Sequence, residues 1–517
     1  MKEWSSALLR RVFPGEKQLY SKVWRITVPA FVELVMSNMF TMINMMMLSQ
    51  YSTDAVAAVG LTGQPNMLLM ACFAAINVGA TTLIAWNIGA GNPAEARKAT
   101  RQTLLVNFSL GILVTLVGFA VSRTVVEFMA GGGLAESTMA LGTDYFRIII
   151  CGLLFQEINM AITASLRGSG QTRQPMVYNI LTNLINVALN FLLIYGNLGF
   201  PEMGALGAAT ATTISRLLGC LMALYVVMNP HSATNPIHVS FRESWKPDFP
   251  VIKQILNIGG PATLEQFILQ SGFVLFARTV SPLGETVFSA HQIGLNINSM
   301  AFMPSQAFGV AATTLVGQSL GENNPKQARS ESVLLFRMSM CVACLVGVFF
   351  MTIPVAISRL YTSDPAVLAL TPICLRVIAL AMPGLSTQQA VSGSLRGAGD
   401  TIFPMMASVL GVWVFRVAVC HVLVSVLHLG LMGAWISMFF DQYLRASVVY
   451  FRHRGEKWLT YKQRRMESSA RRAALRQGEA AAVAVPAPLP EDAEITQAAM
   501  LEEERLEMES NDAKGAE

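Results

Sequence analysis

Twelve long, mostly apolar stretches follow one another between residues 24 and 451. They fall at 24–48, 58–86, 102–122, 142–164, 175–196, 204–228, 250–278, 287–318, 331–355, 366–392, 402–426 and 430–451. A transmembrane helix needs about 20 such residues to cross about 30 Å of hydrocarbon, and each stretch is long enough. Lipid offers no partner to backbone N–H and C=O groups, so such segments form helices or a closed barrel. The alternation of a barrel strand does not occur in these runs. Charge placement agrees. Charged residues make up 13% of the 517, against about 25% in soluble proteins. Of the 37 Lys+Arg and 32 Asp+Glu, 10 and 13 fall in residues 453–517, so the preceding 452 hold 46, about one in ten. A soluble enzyme, a nucleic-acid binder and a disordered chain are excluded. An all-α membrane protein with a polar tail is expected.

Basic residues sort the loops into two sets. One set carries Lys2, Arg10, Arg11, Lys17, Lys22 and Arg25, then Arg97, Lys98 and Arg101, Arg167 and Arg173, Arg242 and Lys246, Lys326 and Arg329, Arg396, and the start of the tail. The other set carries Arg123 and Arg359. Positive loops mark the cytoplasmic side, so both termini are expected there and the number of spans is even. The first apolar segment is expected to act as an uncleaved insertion signal, since no small-residue cleavage site follows a short apolar core. The seven cysteines lie within apolar runs; Cys341 and Cys344 have redox or metal spacing but no second pair or nearby His, and packed thiols are expected.

The second half copies the first. Pro29-Ala30-x-x-Glu33 returns as Pro261-Ala262-x-x-Glu265, and Ala80-Thr81-Thr82-Leu83 as Ala312-Thr313-Thr314-Leu315, at an offset of 232. Gly89-x-x-Asn92-Pro93 returns as Gly321-x-x-Asn324-Pro325 at the same offset. Ser165-Leu166-Arg167-Gly168-Ser169-Gly170 returns as Ser394-Leu395-Arg396-Gly397-Ala398-Gly399 at offset 229. Six spans per copy insert the same way up, giving a parallel repeat about an axis along the membrane normal. Repeats of this kind build transporters that rock two bundles around a central site. The expected fold is therefore twelve transmembrane helices in two pseudo-symmetric six-helix bundles. The expected divisions are an N-terminal cytoplasmic segment 1–23, lobes at 24–229 and 250–452, a cytoplasmic linker 230–249, and a disordered cytoplasmic tail 453–517. The Arg-Gly-x-Gly copies lack the GxxxxGK[ST] spacing of a nucleotide loop. Their arginines are expected at the cytoplasmic headgroups, and with no nucleotide site transport must draw on an ion gradient.

Ionisable groups within a span are costly and mark function by default. Glu33, Ser37, Thr41 and Asn44 are spaced 4, 4 and 3 and share one helical face; Asn179, Asn183, Asn186 and Asn190 form a second such stripe. Gln156 and Glu157 add to them, and all are expected to line a polar cavity in the first half. Asn and Thr also serve as interhelical hydrogen bonders. In the second half the polar groups are Glu265, Gln266, Gln270, His291 and Gln292 amid many Phe and Met, suiting an amphipathic cavity. Arg216 and Arg416 lie deep in spans and require a carboxylate that the sequence does not identify.

These residues resemble the multidrug and toxic compound extrusion family of cation-coupled efflux transporters. The likeness rests on the Pro29 helix running to Asn44 and Gln50, the Asp54-to-Gly60 segment, Gly91-Asn92-Pro93, both Leu-Arg-Gly-x-Gly copies and Ala290-His291-Gln292, and spans about residues 20–452. It implies two six-helix lobes around a cleft and exchange of H+ or Na+ for organic cations. Where members often carry an Asp late in the first helix the chain has Asn44; where many carry one late in the fifth it has Asn190, as other members do; and the Glu and Asp that some members carry in the seventh and tenth helices fall at Leu269 and near Leu385. Glu33 and Glu265 are the expected substitutes. The expected coupling set is thus Glu33, Asn44, Asn186, Asn190 and Glu265, with Na+ or a proton held by Glu33, Asn186 and Asn190. No tightly bound metal, cofactor or nucleotide is expected. The expected partners are the bilayer and small cationic drugs, and the working unit a monomer in the cytoplasmic membrane. A lipid-linked oligosaccharide flippase is the alternative. A membrane-embedded enzyme finds no HExxH, GxSxG or ligand pattern among the six histidines.

Overall fold

Every one of the twelve apolar stretches is helical in the computed structural model, which describes residues 17–130, 136–229, 236–240 and 242–463. The first half contains α1 Lys17–Tyr51, α2 Thr53–Gly89, α3 Pro93–Ala120, the short α4 Ser122–Ala130, α5 Glu136–Gly168, α6 Arg173–Tyr195 and α7 Gly204–Met228. The second contains α8 Phe249–Val280, α9 Glu285–Gly321, α10 Pro325–Thr352, the short α11 Pro354–Arg359, α12 Pro365–Gly397, α13 Ile402–Leu410 and α14 Gly430–Arg454. Beyond α13 the chain stays helical as two π-helical stretches, Gly411–Val419 and Val422–Val426. No strand occurs among the described residues. Among the described residues, nine helices are long and apolar enough to cross a membrane by length and composition. The remaining long ones, α8, α9 and α14, fall short on apolarity and carry Glu265, His291 and Asp441.

The repeated motifs explain the boundaries. Asn92-Pro93 and Asn324-Pro325 start α3 and α10, with proline in the first turn, where its missing N–H costs nothing. In the second copy Asn324 Oδ1 accepts from the Gln327 N–H. Gly170 and Gly399 follow α5 and α12 with φ of 87° and 82°, a left-handed backbone that glycine adopts without steric cost.

The two halves are stitched by equivalent bonds in opposite directions. Thr82 Oγ1 on α2 donates to the Arg396 carbonyl at 3.0 Å, and its copy Thr314 on α9 donates to the Arg167 carbonyl at 2.9 Å. Trp86 Nε1 donates to the Gly397 carbonyl at 2.8 Å, and its copy Gln318 Nε2 to the Gly168 carbonyl at 3.1 Å. Each half thus gives what it receives, as a two-fold axis between the halves requires. These bonds seal the seam at the end bearing the Arg-Gly-x-Gly turns, where Lys22 also pairs with Glu331 at 3.0 Å. Lys98 and Arg101 of α3 pair with Asp248 and Glu243 of the inter-lobe linker.

Three expectations change. The tail does not begin at 453. Trp458 is fully buried, His453 stacks on it at 5.0 Å, and Lys462 Nζ donates to the Leu320 carbonyl at 3.0 Å, so the packed unit reaches Lys462. An apolar ring in a polar segment supplies the burial that composition averaged away. Arg167 and Arg396 do not reach outward to headgroups; both turn inward and are about one-fifth exposed. Cys341 and Cys344 are free thiols on the exposed face of α10 and not core groups. The expected basic segment before Lys17 and the tail from Arg464 onward lie outside the described residues.

Candidate functional site

A cavity of about 620 Å³ lies at the seam. Its floor and far wall come from α8, α9, α12, the π-helical stretch after α13, and α14; α2 and α5 of the first half close it. Glu265, Gln266 and Gln270 line it, as expected for the second half, together with Phe273, Gln388, Gln389 and Gln442. Four arginines also face it: Arg167, Arg396, Arg416 and Arg445.

Both carboxylates expected to carry the coupling ion are held by arginine. Arg167 Nη2 lies 2.9 Å from Glu33 Oε1, and Arg396 Nη2 lies 2.8 Å from Glu265 Oε2. The two pairs are copies of one another, because the Pro-x-x-x-Glu turn and the Leu-Arg-Gly turn were both duplicated. Asn179 Nδ2 completes the first at 2.7 Å, and Ser408 Oγ the second at 3.1 Å. Neither arginine could be assigned to its carboxylate from sequence, since the partners lie on different helices more than a hundred residues apart.

The expected grouping of Glu33 with Asn186 and Asn190 is not formed. Asn179, not Asn186, meets Glu33, and Asn186 lies seven residues further along α6, about 10 Å at 1.5 Å per residue. A second network sits there. Asn44 Nδ2 donates to Asn186 Oδ1 at 2.6 Å, Asn190 Nδ2 to Asn44 Oδ1 at 2.8 Å, and Asn186 Nδ2 to Ser215 Oγ at 3.1 Å. It is an amide and hydroxyl network without a carboxylate, so Na+ would find oxygens there but no opposing charge. Groups of three His, Cys, Asp or Glu suited to a metal are absent among the described residues.

The remaining expected cavity residues are scattered. Ser37 and Thr41 are exposed on α1, where Thr41 Oγ1 bonds the Ser37 carbonyl. Asn183 caps back onto the Asn179 carbonyl. Gln156 is half-buried and Gln292 exposed, and neither lines the cavity. His291 is fully buried among Phe276, Phe288 and Trp435, with neither ring nitrogen hydrogen-bonded among the described residues. It belongs to the apolar core of the second half and not to the cavity. Glu157 is 1% exposed, and neither of its oxygens has a hydrogen-bond partner among the described residues. Arg216 is its charged neighbour and donates to the Ile149 carbonyl at 3.3 Å.

Asp441 was not foreseen. It is fully buried on α14 and receives two guanidinium groups, Arg416 Nη2 at 2.6 Å and Arg445 Nε at 2.8 Å. This identifies the partner of Arg416. The sequence carried a signal: Asp441 and Arg445 stand one helical turn apart in the last span, a spacing that places them together. Arg416 itself is 1% exposed, its Nε and Nη1 have no partner among the described residues, and its guanidinium lies 4.7 Å from the Phe273 ring centroid. Among the described residues, four guanidinium groups meet three carboxylates (Glu33, Glu265 and Asp441) around this seam, which leaves one positive charge unmatched there. A second unit positive charge about 5 Å away would be disfavoured by about 3 kcal/mol at an effective dielectric of ~20.

A duplicated helical bundle with a polar cavity on its pseudo-axis is the architecture of a membrane transporter. The comparisons carry this further. A model of the MatE family matches residues 29–192 and again 261–422, once in each half. A "Probable multidrug resistance protein NorM" from Thermotoga maritima is 30% identical over 461 residues, covering 87% of this chain and 96% of the relative. An "Uncharacterized transporter YisQ" from Bacillus subtilis is 26% identical, covering 86% and 96%. A solved structure titled as the outward-facing conformation of a multidrug resistance MATE family transporter superposes with a TM-score of 0.79 at 21% identity, covering 88% of this chain and 98% of that one. The chain belongs to the MatE family of membrane transporters. It is a transporter and not an enzyme, in keeping with the resemblance drawn from its motifs.

Proposed function

We propose that the chain is a secondary active multidrug efflux transporter that works by alternating access, as a monomer, in the cytoplasmic membrane with both termini inside. The observation that carries this reading is the reciprocal stitching of the halves, Thr82 to Arg396 and Thr314 to Arg167, beside a cavity of drug size. Bonds at one end of the seam can break while the halves rock about the axis, without unfolding either half. The names of the relatives support the multidrug reading, and the basic loops support the orientation.

H+ or Na+ is the coupling ion in this proposal. Glu33 and Glu265 enter as switchable ion pairs: a cation arriving at either carboxylate must displace Arg167 or Arg396, which loosens the turns that hold the seam shut. Glu157 is a buried carboxyl that no donor holds among the described residues, and we assign it to the proton path of the first half, with Asn44, Asn186 and Asn190 as a neutral hydrogen-bonding network. Ser37, Thr41, Gln156 and Asn183 do not line this cavity and take no part in the proposed path. For the organic partner we retain amphipathic character from Gln266, Gln270 and Phe273 and leave out the positive charge expected from the resemblance, because the carboxylates at the seam are each engaged by arginine.

Reconstituted vesicles loaded with ethidium or with pyrenebutyrate, and given a pH or a Na+ gradient separately, test the proposal. Efflux of at least one dye driven by one gradient and abolished by its ionophore is expected. Dye movement indifferent to both gradients would discard it.

A further inference from the structure

We infer that the cavity beside Arg416 takes an amphipathic organic anion, with one carboxylate or phosphate group on a drug-sized apolar body. The inference rests on the efflux reading and adds the charge class of what is carried.

Three observations converge on it. First, Arg416 and Arg445 share one carboxylate, Asp441, so the innermost wall of the second half holds two guanidinium groups against one negative charge. Second, Arg416 is almost fully buried and leaves Nε and Nη1 without partners among the described residues. Unmade hydrogen bonds on a buried charge are costly; Nε and Nη1 do not form one bidentate edge, but each can donate singly to an anionic oxygen that reaches this wall. Third, the surroundings fit the rest of such a ligand. Phe273 lies across the guanidinium face, Leu269, Leu295 and Phe302 supply apolar wall, and Gln270, Gln388 and Gln442 supply neutral polar contacts. The helix that presents Arg416 is π-helical from Gly411 to Val419, a backbone form that recurs at functional sites. Gly411 has no side chain where one would strike Asp441 and Arg445, so the charged group can sit tightly against this helix.

A cation would have to enter the same cavity against the unmatched charge, with Glu265 already engaged by Arg396 and Ser408. The volume of about 620 Å³ suits one drug-sized molecule.

The test is equilibrium binding to the purified full chain in neutral detergent at pH 7, with two probes that share one apolar body: pyrenebutyrate and pyrenebutylamine. The carboxylate is expected to bind at least ten-fold more tightly than the amine. Arg416→Gln, which leaves Asp441 and Arg445 matched one to one, is expected to reduce that advantage below three-fold. Asp441→Asn is expected to widen it. Equal or tighter binding of the amine by the unaltered chain overturns the inference without any variant, so it stays testable even where a buried substitution prevents folding. Competition then separates the sources of the anion. Displacement of pyrenebutyrate by hexyl phosphate assigns a free amphipathic anion; displacement by phosphatidylglycerol alone assigns a lipid headgroup; displacement by neither overturns the site. Binding needs no gradient. A preference for the carboxylate without gradient-driven efflux would sink the efflux reading and leave this site standing, and driven efflux of the amine alone would do the reverse.

Discussion

Glu265 shows what a single side chain contributes here. Its carboxylate is 1% exposed and holds Arg396 with one oxygen and Ser408 with the other. Removing one partner of a buried pair leaves the other charge uncompensated and costs about 3–5 kcal/mol. Glu265→Ala is therefore expected to lower stability by about 3 kcal/mol, while Glu265→Ala with Arg396→Ala recovers part of the loss. Thermal unfolding in detergent of both variants and of Arg396→Ala checks this, and a loss in the double variant equal to the sum of the two single losses would show that the pair is not coupled. Glu33 and Glu265 were legible as candidates because an acid in an apolar run stands out. Their partners were not, since pairing between helices leaves no local pattern and an arginine at a helix end reads equally well as a headgroup anchor. His291 misled for the opposite reason: a polar letter in a polar neighbourhood of the sequence turned out to face aromatic rings.

Two elements carry consequences of their own. The π-helical stretch brings Gly411 against Asp441 and Arg445, so Gly411→Val must push that pair apart. A cost of about 1–3 kcal/mol is expected from overpacking, together with a loss of pyrenebutyrate affinity. Retained affinity at reduced stability would separate packing from recognition. The end of α14 is sensitive to acid. His453 lies 2.6 Å from Ser332 Oγ and stacks on Trp458, and burial, aided by the charge of Arg329, pushes its pKa down to about 4 from 6.5. A base whose folded pKa is depressed contributes stability above its unfolded pKa and loses it as pH falls. Between pH 6.5 and 4 the end of α14 and the segment to Lys462 are expected to loosen by up to about 3 kcal/mol. Hydrogen exchange over residues 446–462 measures this, and His453→Asn should flatten the pH dependence. The length and order of the helices were readable because lipid demands long apolar runs; the packed start of the tail was not, because one tryptophan decides it.

The whole molecule is a duplicated object, and its seam carries the same stitch made twice. Both copies were visible in the sequence as motifs in register, but the reciprocal exchange of bonds required the two halves to be placed together. Thr82→Val with Thr314→Val removes one stitch from each half while keeping side-chain shape. In a chain freed of its seven cysteines, a cysteine at Gln318 is expected to react with maleimide several-fold faster in this double variant than without it. Unchanged reactivity would mean that the stitches do not hold the seam. Alternating access requires that the two ends of the seam move in opposite senses. Spin labels at Asn92 and Asn324 report one end, and labels at Leu198 and Leu427 report the other. Pulsed electron resonance in proteoliposomes carrying an imposed gradient should show the first distance lengthen as the second shortens. Distances that stay fixed, or that change in the same sense while substrate is being moved, would contradict alternating access between the halves.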